Sequence, residues 1–228
     1  MELLRLHLGT LAPPGSDREW PVHGFVLLHP TAGAILVDTG IGGPDRLLRD
    51  WRVVNRAMAE ALAEHGLSPA DVALVVNTHL HFDHCGQNAV FRHAPFYVQR
   101  AELERAREES AWQREWFDFA GARFELLDGD KEIAPGVRAL ATPGHTRGHQ
   151  SVLVEGEDGS DVLIGDAAYN RAVFLRPDMQ LPDGQASDEV AWRESMQRLH
   201  ALESARVHFC HDTRVVAVPG FEPGTYRV

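Results

Sequence analysis

Thr78-His79-Leu80-His81-Phe82-Asp83-His84 is the stretch on which the reading of this chain turns. Imidazoles at 79, 81 and 84 and a carboxylate at 83 crowd together directly after the apolar run Val72-Ala73-Leu74-Val75-Val76. β-Branched residues over that length predict a buried strand, which puts the histidines in the loop at its end. Where the chain is still extended past a strand, His79 and His81 lie two positions apart and project to one side. Asp83 and His84 follow as the chain turns, and face a neighbouring point. One pair of donors for each of two points predicts two metal ions. A lone histidine is ordinarily a surface or satisfied polar group. Four potential ligands at this spacing are better explained as a metal motif.

Composition narrows the class. With 228 residues, 44% of them hydrophobic, the chain can bury one sizeable core, and residues 1–228 are expected to form a single domain or two fused similar halves, the single domain leading. A net charge of −11 with no basic run argues against nucleic acid as a partner. Two cysteines, Cys85 and Cys210, cannot make a disulfide framework and suit a reducing cytosol. Each adjoins a candidate ligand, His84 or His211. Small buried side chains are their expected role, thiol ligation the lesser one, and two sulfurs brought close would be sensitive to oxidation. The opening Met1-Glu2-Leu3-Leu4-Arg5-Leu6-His7-Leu8 is too interrupted by charge for a secretory segment and reads as a first strand. No apolar stretch approaches the roughly 18 residues of a spanning helix. A cytoplasmic protein without a membrane partner is expected.

Along the chain, strands are predicted at 23–29 and 34–38, joined through Pro30–Gly33, with Asp38-Thr39-Gly40 at the end of the second. Asp-Thr-Gly resembles an aspartic protease signature, but that chemistry needs a second copy, and the chain has none. A strand-end carboxylate beside glycines instead suits a partner that orients a ligand histidine. Helices are expected at 45–51 and 55–65, the second stopped by Gly66. A short strand at 95–98 precedes a charged helical stretch over 100–119. There Trp112 and Trp116 are i, i+4 neighbours, read as core packing or as one wall of a substrate pocket. Further strands are predicted at 123–127, 137–141, 150–155, 161–165 and 206–209. An amphipathic helix spans 187–203, capped by Ser187 or Asp188.

Three of those later strands also end in a potential ligand: Thr142-Pro143-Gly144-His145, Ile164-Gly165-Asp166 and Phe209-Cys210-His211. Adding His145, Asp166 and His211 to His79, His81, Asp83 and His84 gives a donor set that suits two divalent ions with one carboxylate between them. Zn2+ is the leading expectation, and Mn2+, Co2+ or Fe2+ suit the same mixture of nitrogen and oxygen. His149 is read as structural. Helices and strands in both halves predict an α/β protein with helices on packed sheets.

This ligand set resembles that of the metallo-β-lactamase superfamily, and three details are similar to N-acyl homoserine lactonases. These are the Asp83-His84 pair, the run Thr142-Pro143-Gly144-His145-Thr146-Arg147-Gly148-His149-Gln150-Ser151, and Tyr169 three residues after Asp166. Arg147 departs from the pattern, where proline is common. The resemblance runs from about residue 23 to 212 and implies an αβ/βα four-layer sandwich with its ligands on loops along one edge. It also implies that His79, His81 and His145 hold one ion, that Asp83, His84 and His211 hold the other, and that Asp166 is shared. The activity implied is hydrolysis of a small-molecule lactone ester by a metal-bridging hydroxide, a quorum-quenching reaction when the substrate is an acyl homoserine lactone. In it Tyr169 stabilises the oxyanion and Asp83 returns a proton to the leaving oxygen. Phe174-Leu175 to Leu181-Pro182, with Met179, is then expected to rim the acyl-chain cleft. The alternative is a thioesterase of the glyoxalase II kind, which shares nearly all of these ligands.

Overall fold

β-Branched and aliphatic residues set the strands, and the loops at their ends collect the polar groups. The computed structural model describes residues 1–109, 114–156, 159–176, 180–202 and 205–217, which divide into two compact units, Met1–Asp128 and Gly129–Val228.

In the first unit, β1 (Glu2–Leu11), β2 (Trp20–His29) and β3 (Gly33–Val37) form an antiparallel meander. Parallel pairings then add β5 (Val72–Val76), β6 (Phe96–Gln99) and β7 (Phe124–Leu127) beside β3. A two-residue strand, β4 (Val54–Asn55), pairs with the far edge of β1 and was not foreseen from sequence. It occupies the start of the expected helix 55–65, which is confined to α2 (Met58–Ala63). Helix α1 spans Asp45–Asp50, as expected. The charged stretch forms α3 (Arg100–Glu109) and α4 (Arg114–Phe117). Trp112 lies outside the described residues. Trp116 is buried with Leu80, Leu103 and Phe117, so the core-packing role holds for it.

The second unit carries a mixed sheet in the order β13-β12-β11-β10-β9-β8. Its strands are β8 (Lys131–Ala134), β9 (Val137–Ala141), β10 (Gln150–Gly156), β11 (Gly159–Leu163), β12 (Ala205–His208) and β13 (Val216–Ala217). β8 and β13 were not foreseen; both are edge strands too short to show an apolar period. Two helices complete the unit, α5 (Arg171–Phe174) and α6 (Glu189–His200), and Asp188 caps α6 by accepting from the Val190 and Ala191 amides. Trp192, Met196 and Leu199 on α6 pack with Val162, Ile164, Val207 and Phe209. Phe174 is in this core at 2% exposure, which corrects its expected place on a cleft rim. The cause is local. Asn170 caps α5 through the Ala172 and Val173 amides, and the single turn that follows drives Phe174 inward. Met179 lies outside the described residues.

Among the described residues no helix is long and apolar enough to cross a membrane.

Backbone contact locks the loop after β5 to the loop after β3. The Thr39 amide donates to the His84 carbonyl at 2.7 Å, Gly42 to Phe82 at 2.9 Å, and Gly86 to Gly40 at 2.9 Å. The approach requires glycine: a Cβ on Gly86 would lie 1.9 Å from the Gly42 nitrogen. Gly86→Ala is therefore expected to cost about 1–3 kcal/mol from overpacking. Thermal unfolding checks this at roughly 2–4 °C per kcal/mol, and an unchanged midpoint would refute the account.

Candidate metal centre

Each candidate ligand sits where a strand runs out, because a strand end frees side chains from the alternating in-and-out pattern of the sheet while the backbone remains anchored. In the first unit the loop after β5 brings His79 and His81 together, with Nε2 of His79 3.0 Å from Nδ1 of His81. Two nitrogens on one tetrahedral zinc at 2.0–2.1 Å would be about 3.3 Å apart, so the pair is spaced for a common cation. The same-side projection expected from the sequence is what forms. The chain then turns, with the His84 amide donating to the His81 carbonyl at 3.1 Å. This carries His84 Nε2 to 3.8 Å from Asp83 Oδ2.

Asp38 holds this arrangement from beneath. Its carboxylate accepts from the Thr78 amide at 2.8 Å, from the Thr78 hydroxyl at 2.7 Å, and faces His84 Nδ1 at 2.8 Å. A carboxylate at Nδ1 fixes the proton there and leaves Nε2 as the nitrogen able to bind a cation. The orienting role expected of the Asp-Thr-Gly aspartate is therefore met at His84. Glu102 does comparable work from α3: fully buried, it accepts from the Leu80 amide at 2.8 Å and pairs with Arg105 at 2.6 Å. Sequence reasoning missed Glu102, whose only signal was an i, i+3 partner in a charge-rich helix.

In the second unit Asp166 stands between two imidazoles. Its Oδ2 is 3.5 Å from His145 Nε2 and its Oδ1 is 3.4 Å from His211 Nε2. Asp166 lies in a short 3-10 turn, Gly165–Ala167, immediately past β11 and Ile164. His145 Nδ1 donates to the Gln185 carbonyl at 2.7 Å, so its Nε2 too is presented as a lone pair. His149 is structural, as expected. Its Nδ1 donates to the Thr142 carbonyl at 3.1 Å, and its Nε2 accepts from the Asp166 amide at 3.0 Å. Cys210 is buried, and its sulfur lies within 4.8 Å of the donor atoms of Asp166 and His211. Burial pushes the His211 imidazole down, and Cys210 with the Asp166 carboxylate more than reverse this, leaving it well above its ordinary value. Cation uptake there must displace that proton. Burial pushes the Cys85 thiol up, consistent with an inert side chain. Tyr169 packs its ring edge-on to His145 and His211 at 5.6 and 5.9 Å, and its hydroxyl donates to the Gly184 carbonyl at 2.7 Å.

These donors fit divalent cations. Imidazole nitrogens and carboxylate oxygens face one another in each unit, and two of the imidazoles are tautomerically fixed by a partner on the opposite nitrogen.

Comparison with known proteins gives the same direction. The model of the metallo-beta-lactamase superfamily matches residues 19–211. The chain belongs to that superfamily. Among its superfamily relatives is an N-acyl homoserine lactonase of a Bacillus species, 34% identical over 218 residues, which are 87% of this chain and 84% of that protein. Another, from Bacillus cereus, is 32% identical over 227 residues, 91% and 88% of the two chains. A solved N-acyl homoserine lactone hydrolase, with the product N-hexanoyl-L-homoserine bound at its catalytic metal center, matches with a TM-score of 0.78 at 28% identity. That match covers 92% of this chain and 93% of the other. The fold is thus the metallo-β-lactamase fold, with two mixed sheets and their helices, as the family resemblance implied.

Asp38→Asn keeps the size of the side chain but removes its charge and one acceptor beside His84. It is expected to weaken metal binding about 10–100-fold, read by competition with a chromophoric chelator. Wild-type affinity in the variant would show that Asp38 does not govern His84.

Proposed function

We propose that residues 1–228 act as one catalytic domain, a dinuclear metal-dependent lactonase that opens N-acyl homoserine lactones or closely similar esters. The observation that carries this reading is the Asp166 carboxylate, each oxygen turned to a different imidazole, as a carboxylate shared between two cations requires. It is supported by the lactonase relatives. In this reading His79, His81 and His145 hold one ion, Asp83, His84 and His211 hold the other, and Asp166 is shared. Zn2+ is proposed as the resident ion and the cytoplasm as the location.

Bound there, two divalent ions acidify water into the neutral range and polarise an ester carbonyl. The chain's own residues do the rest. Water adds to the lactone carbonyl carbon, the bond from that carbon to the ring oxygen breaks, and the proton released must reach the departing oxygen. Asp83, buried beside His84 yet carrying a second carboxylate oxygen, is the proposed carrier of that proton. Tyr169 is the proposed donor to the carbonyl oxygen as charge gathers there. Its hydroxyl bonds Gly184, so substrate binding must exchange one acceptor for another. Phe82, half-buried in the metal loop and edge-on to Trp51 at 5.3 Å, adds apolar surface beside the ligands. No observation favours the thioesterase alternative.

Titration of acid released from N-acyl homoserine lactones is expected to show turnover that falls to background when metal is chelated and returns on adding Zn2+. Turnover that survives complete metal removal, or a clear preference for thioesters in the same assay, would sink the proposal. Tyr169→Phe is expected to lower kcat by about 10²-fold, with a smaller change in KM; unchanged kcat would remove Tyr169 from the mechanism.

A further inference from the structure

Gln185 lies in the loop between α5 and α6, in a stretch with no motif, and is wholly buried. Its backbone N–H donates to the Pro182 carbonyl at 3.0 Å, and its other three hydrogen-bonding groups are spent on the loops that carry the second unit's candidate ligands. Its side-chain amide nitrogen donates to the Asp166 carbonyl at 2.6 Å and, at longer range, to the Ala167 carbonyl at 3.5 Å. The side-chain oxygen accepts from the Tyr169 amide at 3.4 Å. Its backbone carbonyl accepts from His145 Nδ1 at 2.7 Å. The neighbouring residues reinforce the strap. Gly184 accepts from the Tyr169 hydroxyl, while Ser187 and Asp188 donate backbone amides to the Gly144 carbonyl at 2.8 and 3.1 Å.

We infer that Gln185 is a positioning residue, one that sets the Asp166 turn, the His145 tautomer and the Tyr169 backbone in register with one another. A buried amide is tolerated where it is fully satisfied, because a buried polar atom without a partner loses its hydration and gains no bond in exchange. Here the satisfaction is not generic. An amide, unlike a carboxylate, supplies both a donor for the carbonyl of Asp166 and an acceptor for the N–H of Tyr169. The Asp166 peptide is consequently held on both sides, by His149 at its nitrogen and by Gln185 at its carbonyl oxygen. Both bonds are to the Asp166 backbone, so they fix the point and direction from which its carboxylate reaches toward His145 and His211. Side chains of this kind, one bond removed from the donors, ordinarily change metal affinity or activity 10–100-fold when replaced.

The inference rests on the dinuclear reading above, and the test separates the two. Wild type, Gln185→Met and Gln185→Glu are loaded with Zn2+, and release of metal to excess chelator is followed by absorbance, alongside kcat and KM on the folded, loaded fraction. Methionine keeps length and volume but removes donor and acceptor; glutamate keeps only the acceptor. Both variants are expected to release metal about 10–100-fold faster than wild type and to lose kcat more than KM. A residue that only supports the fold would lower the unfolding midpoint without altering release from molecules that remain folded. Wild-type release rates and kcat in a folded variant would overturn the inference while leaving the dinuclear reading intact. Failure of both variants to fold would overturn it as well, by making Gln185 a folding residue. A wild-type chain that takes up no metal would overturn both.

Discussion

A buried carboxylate at the end of one strand governs the loop at the end of the next. Asp38 accepts two hydrogen bonds from Thr78 and one from His84, and thereby joins β3 to the metal loop after β5. β3 and β5 are parallel neighbours, so their C-terminal ends lie side by side and the reach is short. Taken out of water, the charge is tolerable because strong donors surround it. The same donors give His84 a defined tautomer and give the loop a defined start. What is stabilised at Asp38 as a buried-charge problem is resolved as ligand geometry.

The second unit uses a different device toward the same end. Asp166, His145 and Tyr169 are held mainly by uncharged groups: the side-chain amide and backbone carbonyl of Gln185, the Gly184 carbonyl and the His149 imidazole. Trp192 adds the edge of its indole, donating to the Ala167 carbonyl at 2.6 Å, while the start of its helix presses against Gly144. Charge anchors one set of donors, and neutral hydrogen bonding anchors the other. Both engage Nδ1 of a histidine, His84 or His145, and so present Nε2 as the nitrogen to bind a cation.

Much of this was legible in the sequence. The Val72–Val76 strand, the His79/His81 pair, the Asp38 support and the structural His149 follow from period, spacing and residue chemistry. So do the strand ends that carry His145, Asp166 and His211. The unforeseen parts have separate physical causes. β4, β8 and β13 are held by pairing with longer neighbours rather than by an apolar pattern of their own. Phe174 was misplaced because a single helical turn, set by the Asn170 cap, reverses the side that a residue faces. Glu102 and Gln185 act through bonds to backbone atoms distant in sequence, and no local spacing announces such a partner.

Asp38 has a backbone φ of +59°, a left-handed conformation open to few residue types. Glycine, asparagine and aspartate enter it readily, and of these only aspartate brings two acceptor oxygens that are both anionic. At this corner a β-branched or bulky side chain strains the turn, and a neutral one weakens the hold on the histidine. A replacement here therefore meets two demands at once, a backbone that few residues adopt and a full negative charge beside His84.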